Sequence, residues 1–248
     1  MKYYSRGLSL IELMVSLVIG LVIVLGVTQI FISAKNTYIS QNASAAMQED
    51  ARYALSRMVQ EIRMVGMFGC IAPSAGAPSF IDLSVAPTFS TASANPISYT
   101  TATAAGVTTS VLTLLTGDVG TAGGTPSYTV ASDCLTTATV TTGTPVLLTG
   151  QQGFPIRRVI YTFANNQLST TVGSTTSVLV GNVSGFAISF GLATAGSPYV
   201  VGSYTAAPST ADLGFIRSVR ITLTLTDPKS RVRDQTFNVV AALRNKLN

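Results

Sequence analysis

The chain reads as an α+β protein in which one long N-terminal helix, half membrane segment and half amphipathic, packs against an antiparallel β-sheet. Three observations predict this. Residues 13–34 carry no charge and are dominated by Leu, Ile, Val and Phe; at about 1.5 Å rise per residue they are long enough to cross a hydrocarbon core of roughly 30 Å. Beyond them Met47, Ala51, Leu55, Met58, Ile62 and Val65 recur every three or four residues, which is one apolar stripe of a helix. After Cys70 the pattern turns to short Thr- and Val-rich alternation, most regular where Ile221, Leu223 and Leu225 alternate with Thr222, Thr224 and Thr226.

Taken in order, residues 1–7 are a short leader with two cations, Lys2 and Arg6, and no further cation follows until Lys35. That asymmetry keeps the N-terminus cytoplasmic and exports the rest. A secretory signal has its small-residue cleavage site after the apolar run. Here Gly7 precedes the run, so a cut between Gly7 and Leu8 removes the leader, keeps the helix and frees a cationic amine on Leu8. Glu12 lies just inside the apolar segment, where a central acidic residue is unfavourable by about 2.5–3.5 kcal/mol. Pairing Glu12 of one subunit with the Leu8 amine of a neighbour removes two unpaired charges from hydrocarbon at once. A plain single-pass anchor with an incidental glutamate is the bland alternative. It leaves the position of Gly7, the short leader and Glu12 as three coincidences.

The run Gly7-Leu8-Ser9-Leu10-Ile11-Glu12-Leu13-Met14-Val15 resembles the type IV prepilin processing motif. The resemblance implies cleavage after Gly7, N-methylation of Leu8 by a prepilin peptidase, and packing of the helix into a filament core. Leu8 stands where Phe is usual, and the helix lacks the proline common in major pilins, leaving Gly20 and Gly26 as the places where it could unwind. Gln48-Glu49-Asp50-Ala51-Arg52-Tyr53-Ala54-Leu55 and Gly66-Met67-Phe68-Gly69-Cys70 are similar to the PilW type of minor pilin, well up to Cys70 and more loosely in the C-terminal strands. What this implies is a type IV pilin fold and a minor pilin that primes or caps pilus assembly. Its partners would be other minor and major pilins and the inner-membrane assembly platform. It would sit in the bacterial inner membrane with its C-terminal domain periplasmic, and afterwards in the pilus at the cell surface.

The organisation expected is a leader at 1–7, a transmembrane or filament-core helix at 8–32, an amphipathic helix at 33–67 and a periplasmic β-sheet domain with long loops at 68–248. Residues 37–46 are small and polar and read as an exposed stalk. Glu49, Asp50, Arg52, Arg57, Glu61 and Arg63 fall off the apolar stripe; Glu49, Asp50 and Arg52 read as solvated or intersubunit charges, and Gly66 and Gly69 close the helix. Cys70 and Cys134 are the only cysteines. In an exported domain they form one disulfide, and with no His and no Cys-x-x-Cys a metal site lacks donors. Residues 73–133 contain no Lys or Arg and many Thr, Ala, Ser and Gly. They read as long loops over a small core, with short strands at 111–115 and 128–130. Further strands are expected at 146–148, at 159–163 turning through Asn165-Asn166 into 167–171, at 178–180 and at 183–190. A final hairpin turns at Asp227-Pro228-Lys229 and returns over 236–243.

Charged residues make up 10% of the chain, against about 25% in typical soluble domains. The formal charge is +5, with Lys2 and Arg6 supplying two of the cations. Arg217, Arg220, Lys229, Arg231, Arg233, Arg244 and Lys246 gather near the last hairpin, as solvated strand faces or as a contact for a neighbouring pilin or DNA. Nucleic acid is the weaker partner, because Tyr199, Tyr204 and Phe215 are not interleaved with these cations as a base-stacking groove requires. With no His, no Gly-x-Ser-x-Gly and no phosphate-binding glycine loop, the chain reads as a non-enzyme without a cofactor. Two other readings stay open: a type II secretion pseudopilin, and a pilus-tip adhesin or DNA-capturing subunit using the loops between Cys70 and Cys134.

Overall fold

The computed structural model describes residues 9–71, 80–104, 106–118, 125–194 and 197–244. Its axis is α1, Leu10–Arg63, one uninterrupted helix of 54 residues and hence about 81 Å long. The two halves of α1 meet different surroundings. Up to residue 38 every described side chain is exposed, whereas Ala43, Met47, Ala51, Ala54, Leu55, Met58 and Ile62 are buried. The expected stripe is thus the packed one, and it begins earlier than its large residues suggested. Ala43 and Ser44, read as exposed stalk, already touch the domain, and Ser44 Oγ accepts a hydrogen bond of 2.6 Å from Gln235 Nε2. The helix also ends sooner than its glycines: Met64 caps it, and Gly66 and Gly69, with φ of 77° and 72°, turn the departing chain. There Gly66 N–H bonds to Leu115 O and Val65 bridges to Thr116.

Two sheets, not one, enclose the stripe. The strands are β1 (Phe80–Asp82), β2 (Ile97–Ala104), β3 (Val107–Gly117), β4 (Tyr128–Ser132), β5 (Ala138–Thr142), β6 (Gln152–Ala164), β7 (Gln167–Val172), β8 (Thr175–Val180), β9 (Val183–Thr194), β10 (Ser197–Thr205), β11 (Ile216–Leu225) and β12 (Gln235–Ala242), with a short helix α2 (Phe89–Ala94) after β1. The first sheet runs β1-β5-β4-β6-β3-β2, with β7 on β6 and β8 on β7. Its β1–β5 pair is parallel and its other pairs antiparallel. The second, β10-β9-β11-β12, is antiparallel throughout. Leu112, Leu114, Val159 and Tyr161 from the first sheet and Phe186, Ile188, Ile221 and Leu223 from the second join the helix stripe in one core. Fully buried Ala51 and Ala54 keep the helix surface low there, letting strands approach.

Local chemistry explains several elements. Asn165 and Asn166, with φ of 50° and 58°, make the two-residue turn of the β6–β7 hairpin, a left-handed pair that asparagine tolerates. The β11–β12 hairpin forms as expected, with Leu225 paired to Gln235, but its connection is a loop of residues 226–234 organised by Asp227, whose carboxylate accepts from Arg231 Nη2 at 2.7 Å and Nε at 2.8 Å. Residues 146–148, expected as a strand, are instead an irregular loop with Val146 93% exposed, while Leu147 lies over Gly153. The expectation of long loops between the cysteines is corrected as well. β1, α2, β2, β3 and β4 fall in that stretch and enclose a second core of Ile71, Phe89, Leu115, Tyr128, Val130, Ala138, Val140 and Ile156. Phe68, Phe80 and Tyr128 each meet Phe89 edge-on, with ring centroids 5.1 to 5.7 Å apart.

Candidate functional site

The candidate site is the exposed half of α1. Ser9 is its N-cap in extended conformation, and the Glu12 and Leu13 N–H groups bond to Ser9 O at 3.0 and 3.2 Å. Glu12 therefore stands in the first helical turn, exposed, at the positive end of the helix dipole. Gly7 and Leu8, the expected cleavage position and new N-terminus, lie outside the described residues. From Leu10 to Ile32 every Leu, Ile, Val, Met and Phe side chain is 46% exposed or more. A surface of this extent is far larger than a soluble monomer presents. The helix is long and apolar enough to cross a membrane.

Two of the polar groups within this segment suit hydrocarbon. Ser16 Oγ donates to Leu13 O at 2.9 Å and Thr28 Oγ1 to Val24 O at 2.7 Å, so both hydroxyls are satisfied inside the helix. Gly20 and Gly26 sit within continuous helix, each with open space where a Cβ would stand. Glu12 is then the one ionisable side chain from Leu10 to Ala34, and no described residue pairs with it through an ion pair. Lys35 marks the first cation past the apolar run and Tyr38, 70% exposed, the first aromatic beyond it.

At the far end of the helix, Cys70 and Cys134 are joined by a disulfide with their Cα atoms 5.1 Å apart. It ties the chain leaving α1 to the turn after β4. Among the described residues no group of three or more His, Cys, Asp or Glu side chains could hold a metal ion.

Between the distal turns of α1 and β6–β7–β8 lies a polar groove of about 880 Å³. Two ion pairs line it that sequence reasoning left out. Arg57 Nε donates to Glu61 Oε1 at 3.3 Å, and Glu61 Oε2 accepts the hydroxyl of fully buried Tyr161 at 2.5 Å. Arg157 meets Asp118, with both side chains 8% exposed. Burial, aided by the Glu61 charge, pushes the Tyr161 phenol well above its ordinary value. The i,i+4 spacing of Arg57 and Glu61 was a visible signal; the tyrosine a hundred residues away was not. Near the cationic strands, Arg220 lies 3.9 Å over the Tyr204 ring, and Phe215 is 55% exposed. The Tyr199 side chain is outside what is described.

Residues 2–28 match the prokaryotic N-terminal methylation motif. No curated protein matches the chain. The motif indicates a type IV pilin-like N-terminus and suggests a structural subunit of the pilin or pseudopilin kind. It implies processing by a prepilin peptidase and association with pilins, and together with the apolar helix it points to membrane anchoring.

Proposed function

We propose that this chain is a minor pilin of the PilW type that primes or caps a type IV pilus. A prepilin peptidase cuts after Gly7 and Leu8 becomes the methylated N-terminus. The exposed half of α1 holds the subunit in the inner membrane, with the β-domain in the periplasm. It then passes into the filament core, where Glu12 pairs with the Leu8 amine of an adjacent subunit. The observation that carries this reading is the match of residues 2–28 to the methylation motif at the head of a rod that is bare over its first half and packed over its second. A bare apolar rod needs lipid or other rods around it, and a carboxylate one turn inside it needs a cation.

The test has two arms. Gly7→Val should leave the full-length precursor in the membrane, read as intact mass. Glu12→Ala should be cut normally yet fail to enter pili, read by immunoblot of sheared filaments. Normal mature mass in the first, or undiminished incorporation in the second, would overturn the reading. Co-purification with secretion pseudopilins in place of pilins would move the same mechanism to the type II secretion apparatus.

A further inference from the structure

The contacts of the domain fix which of its ends faces the membrane half of α1. Gln235, at the start of β12, is level with Ser44, while Thr116, near the end of β3, meets Val65 beyond the other end of the helix. Val183 N–H bonds to Asn166 O, and Thr226 N–H to Asn182 O. The β6–β7 turn, the β8–β9 turn and the β11–β12 loop therefore share the end at Ser44. β11 runs toward that end and β12 away from it, so the loop of residues 226–234 lies at the end of the domain that faces the bare part of α1.

Charge on this rim is confined to one place. The turns at Asn165-Asn166 and Gly181-Asn182 carry none, whereas the loop holds Asp227, Lys229, Arg231, Arg233 and Asp234. Both acids are engaged: Asp227 by Arg231 and by the N–H groups of Lys229 and Arg231, Asp234 by Ser184 Oγ at 3.0 Å. Lys229 and Arg233 are exposed and have no ion-pair partner among the described residues. Below them on the helix, Lys35 and Tyr38 are the residue types that settle at headgroup level, a cation that extends toward water and an amphipathic ring. Six residues separate Tyr38 from Ser44, about 9 Å of helix. The loop between β11 and β12, residues 226–234, has enough chain to span that distance.

We propose that the β11–β12 loop is a membrane-surface contact: with α1 inserted, Lys229 and Arg233 rest on anionic phospholipid headgroups of the same bilayer and fix how the domain stands over it. The proposal rests on the membrane insertion of α1 and not on pilus entry, so a chain that never joins a filament still tests it. The full chain, with Ser230→Cys spin-labelled at the loop tip and the native disulfide kept oxidised, is reconstituted one copy per nanodisc. Collision of the label with headgroup-chelated nickel is compared in phosphatidylcholine alone and with phosphatidylglycerol added. A cation near an anionic surface favours contact by roughly fivefold, so two predict a gain of roughly 25-fold in the ratio of contacting to free loops. The gain should vanish in about 1 M salt, where screening falls to about 3 Å, and in the Lys229→Gln/Arg233→Gln chain. The salt arm needs no substitution at the two cations. Equal collision in the two bilayers overturns the proposal. So does collision that appears only when discs are loaded with two copies and is indifferent to lipid charge, which would give the rim to a neighbouring subunit.

Discussion

Tyr161→Phe probes the seam between α1 and the first sheet. The ring is fully buried among Leu112, Val159 and the helix stripe, so the substitution keeps the packing and deletes one hydroxyl. That hydroxyl is a donor to Glu61, whose side chain is 17% exposed and whose other oxygen accepts from Arg57. A hydrogen bond to a charged group contributes about 1.5–3 kcal/mol. Because water can reach Glu61 in part, the lower end applies, a loss of about 1.5 kcal/mol at neutral pH. A second signature separates this bond from simple packing. Burial first, and then the Glu61 charge, raise the Tyr161 pKa in the folded chain. Its contribution is therefore whole below the unfolded value near 10, and falls as pH rises past it, since the unfolded chain releases a proton that the folded chain retains. One unit beyond that value costs about 1.4 kcal/mol. Urea unfolding of the full chain in detergent, followed by near-ultraviolet circular dichroism, should show the parent more stable at about pH 9 and the two chains nearly equal at about pH 11. A gap that stays constant between those values, or none at neutral pH, would refute the reasoning.

Three further outcomes are expected. Cys70→Ser/Cys134→Ser opens a loop of sequence separation 64 and should lower stability by about 4 kcal/mol in the chain-entropy model; the parent should resist thiol labelling until reduced, and free labelling without reductant would contradict this. Gly69→Ala puts a Cβ at φ 72° and 2.4 Å from Phe154 Cγ, so left-handed strain and overpacking together should cost about 2–4 kcal/mol, whereas Gly106→Asn, at φ 79° with open space around it, meets only the left-handed strain that asparagine tolerates best and should lower the melting temperature much less. Asp82 is raised by burial but held down more strongly, to about 2, by the hydroxyl and N–H groups of Ser84 and Ser90. Its contribution is thus present above the ordinary carboxylate value and lost as pH falls toward about 2. Asp82→Asn should flatten the acid limb of a stability-against-pH curve, and an unchanged acid limb would count against the bonding.

What was legible followed from periodicity. The helix stripe, the β6–β7 hairpin with its two asparagines and the β11–β12 hairpin each announce themselves by spacing, because one face is buried and the other is not. β2 was missed for the opposite reason. Its sequence Ile-Ser-Tyr-Thr-Thr-Ala-Thr-Ala is exposed over its second half, where it offers small residues on both faces. β4 is buried at all five positions, so no alternation marks its edges. The second core was hidden because its centre, Phe89, sits in a six-residue helix of small residues that no helical pattern reveals. In the candidate site, the roles proposed for Gly7, Leu8 and Glu12 rest on their order along the chain alone. The Glu61–Tyr161 bond was not legible, because only the fold brings it together.

The register of α1 against the sheets shows how the two kinds of contact divide the work. Burial of the stripe is non-directional, and a slide of the helix by one turn, about 5.4 Å, would keep an apolar face inward. Size and charge oppose the slide: the sites now filled by Ala51 and Ala54 would receive Leu55 and Met58 in one direction, or Met47 and Asp50 in the other, and fully packed positions do not admit such groups without strain. Polar contacts oppose it at both ends. Ser44 would leave Gln235, Glu61 would leave the Tyr161 hydroxyl, and Val65 would leave Thr116. Of these, the loss at Glu61 matters most, because a buried phenol and a mostly buried carboxylate would both be left without their partner. The domain is thus fixed at one height on the rod, with Ser44 about 9 Å beyond Tyr38. On the proposed reading that height matters twice: it sets how far the sheets stand from the bilayer before assembly, and how far they stand from the filament core once the bare half of α1 is packed among its neighbours.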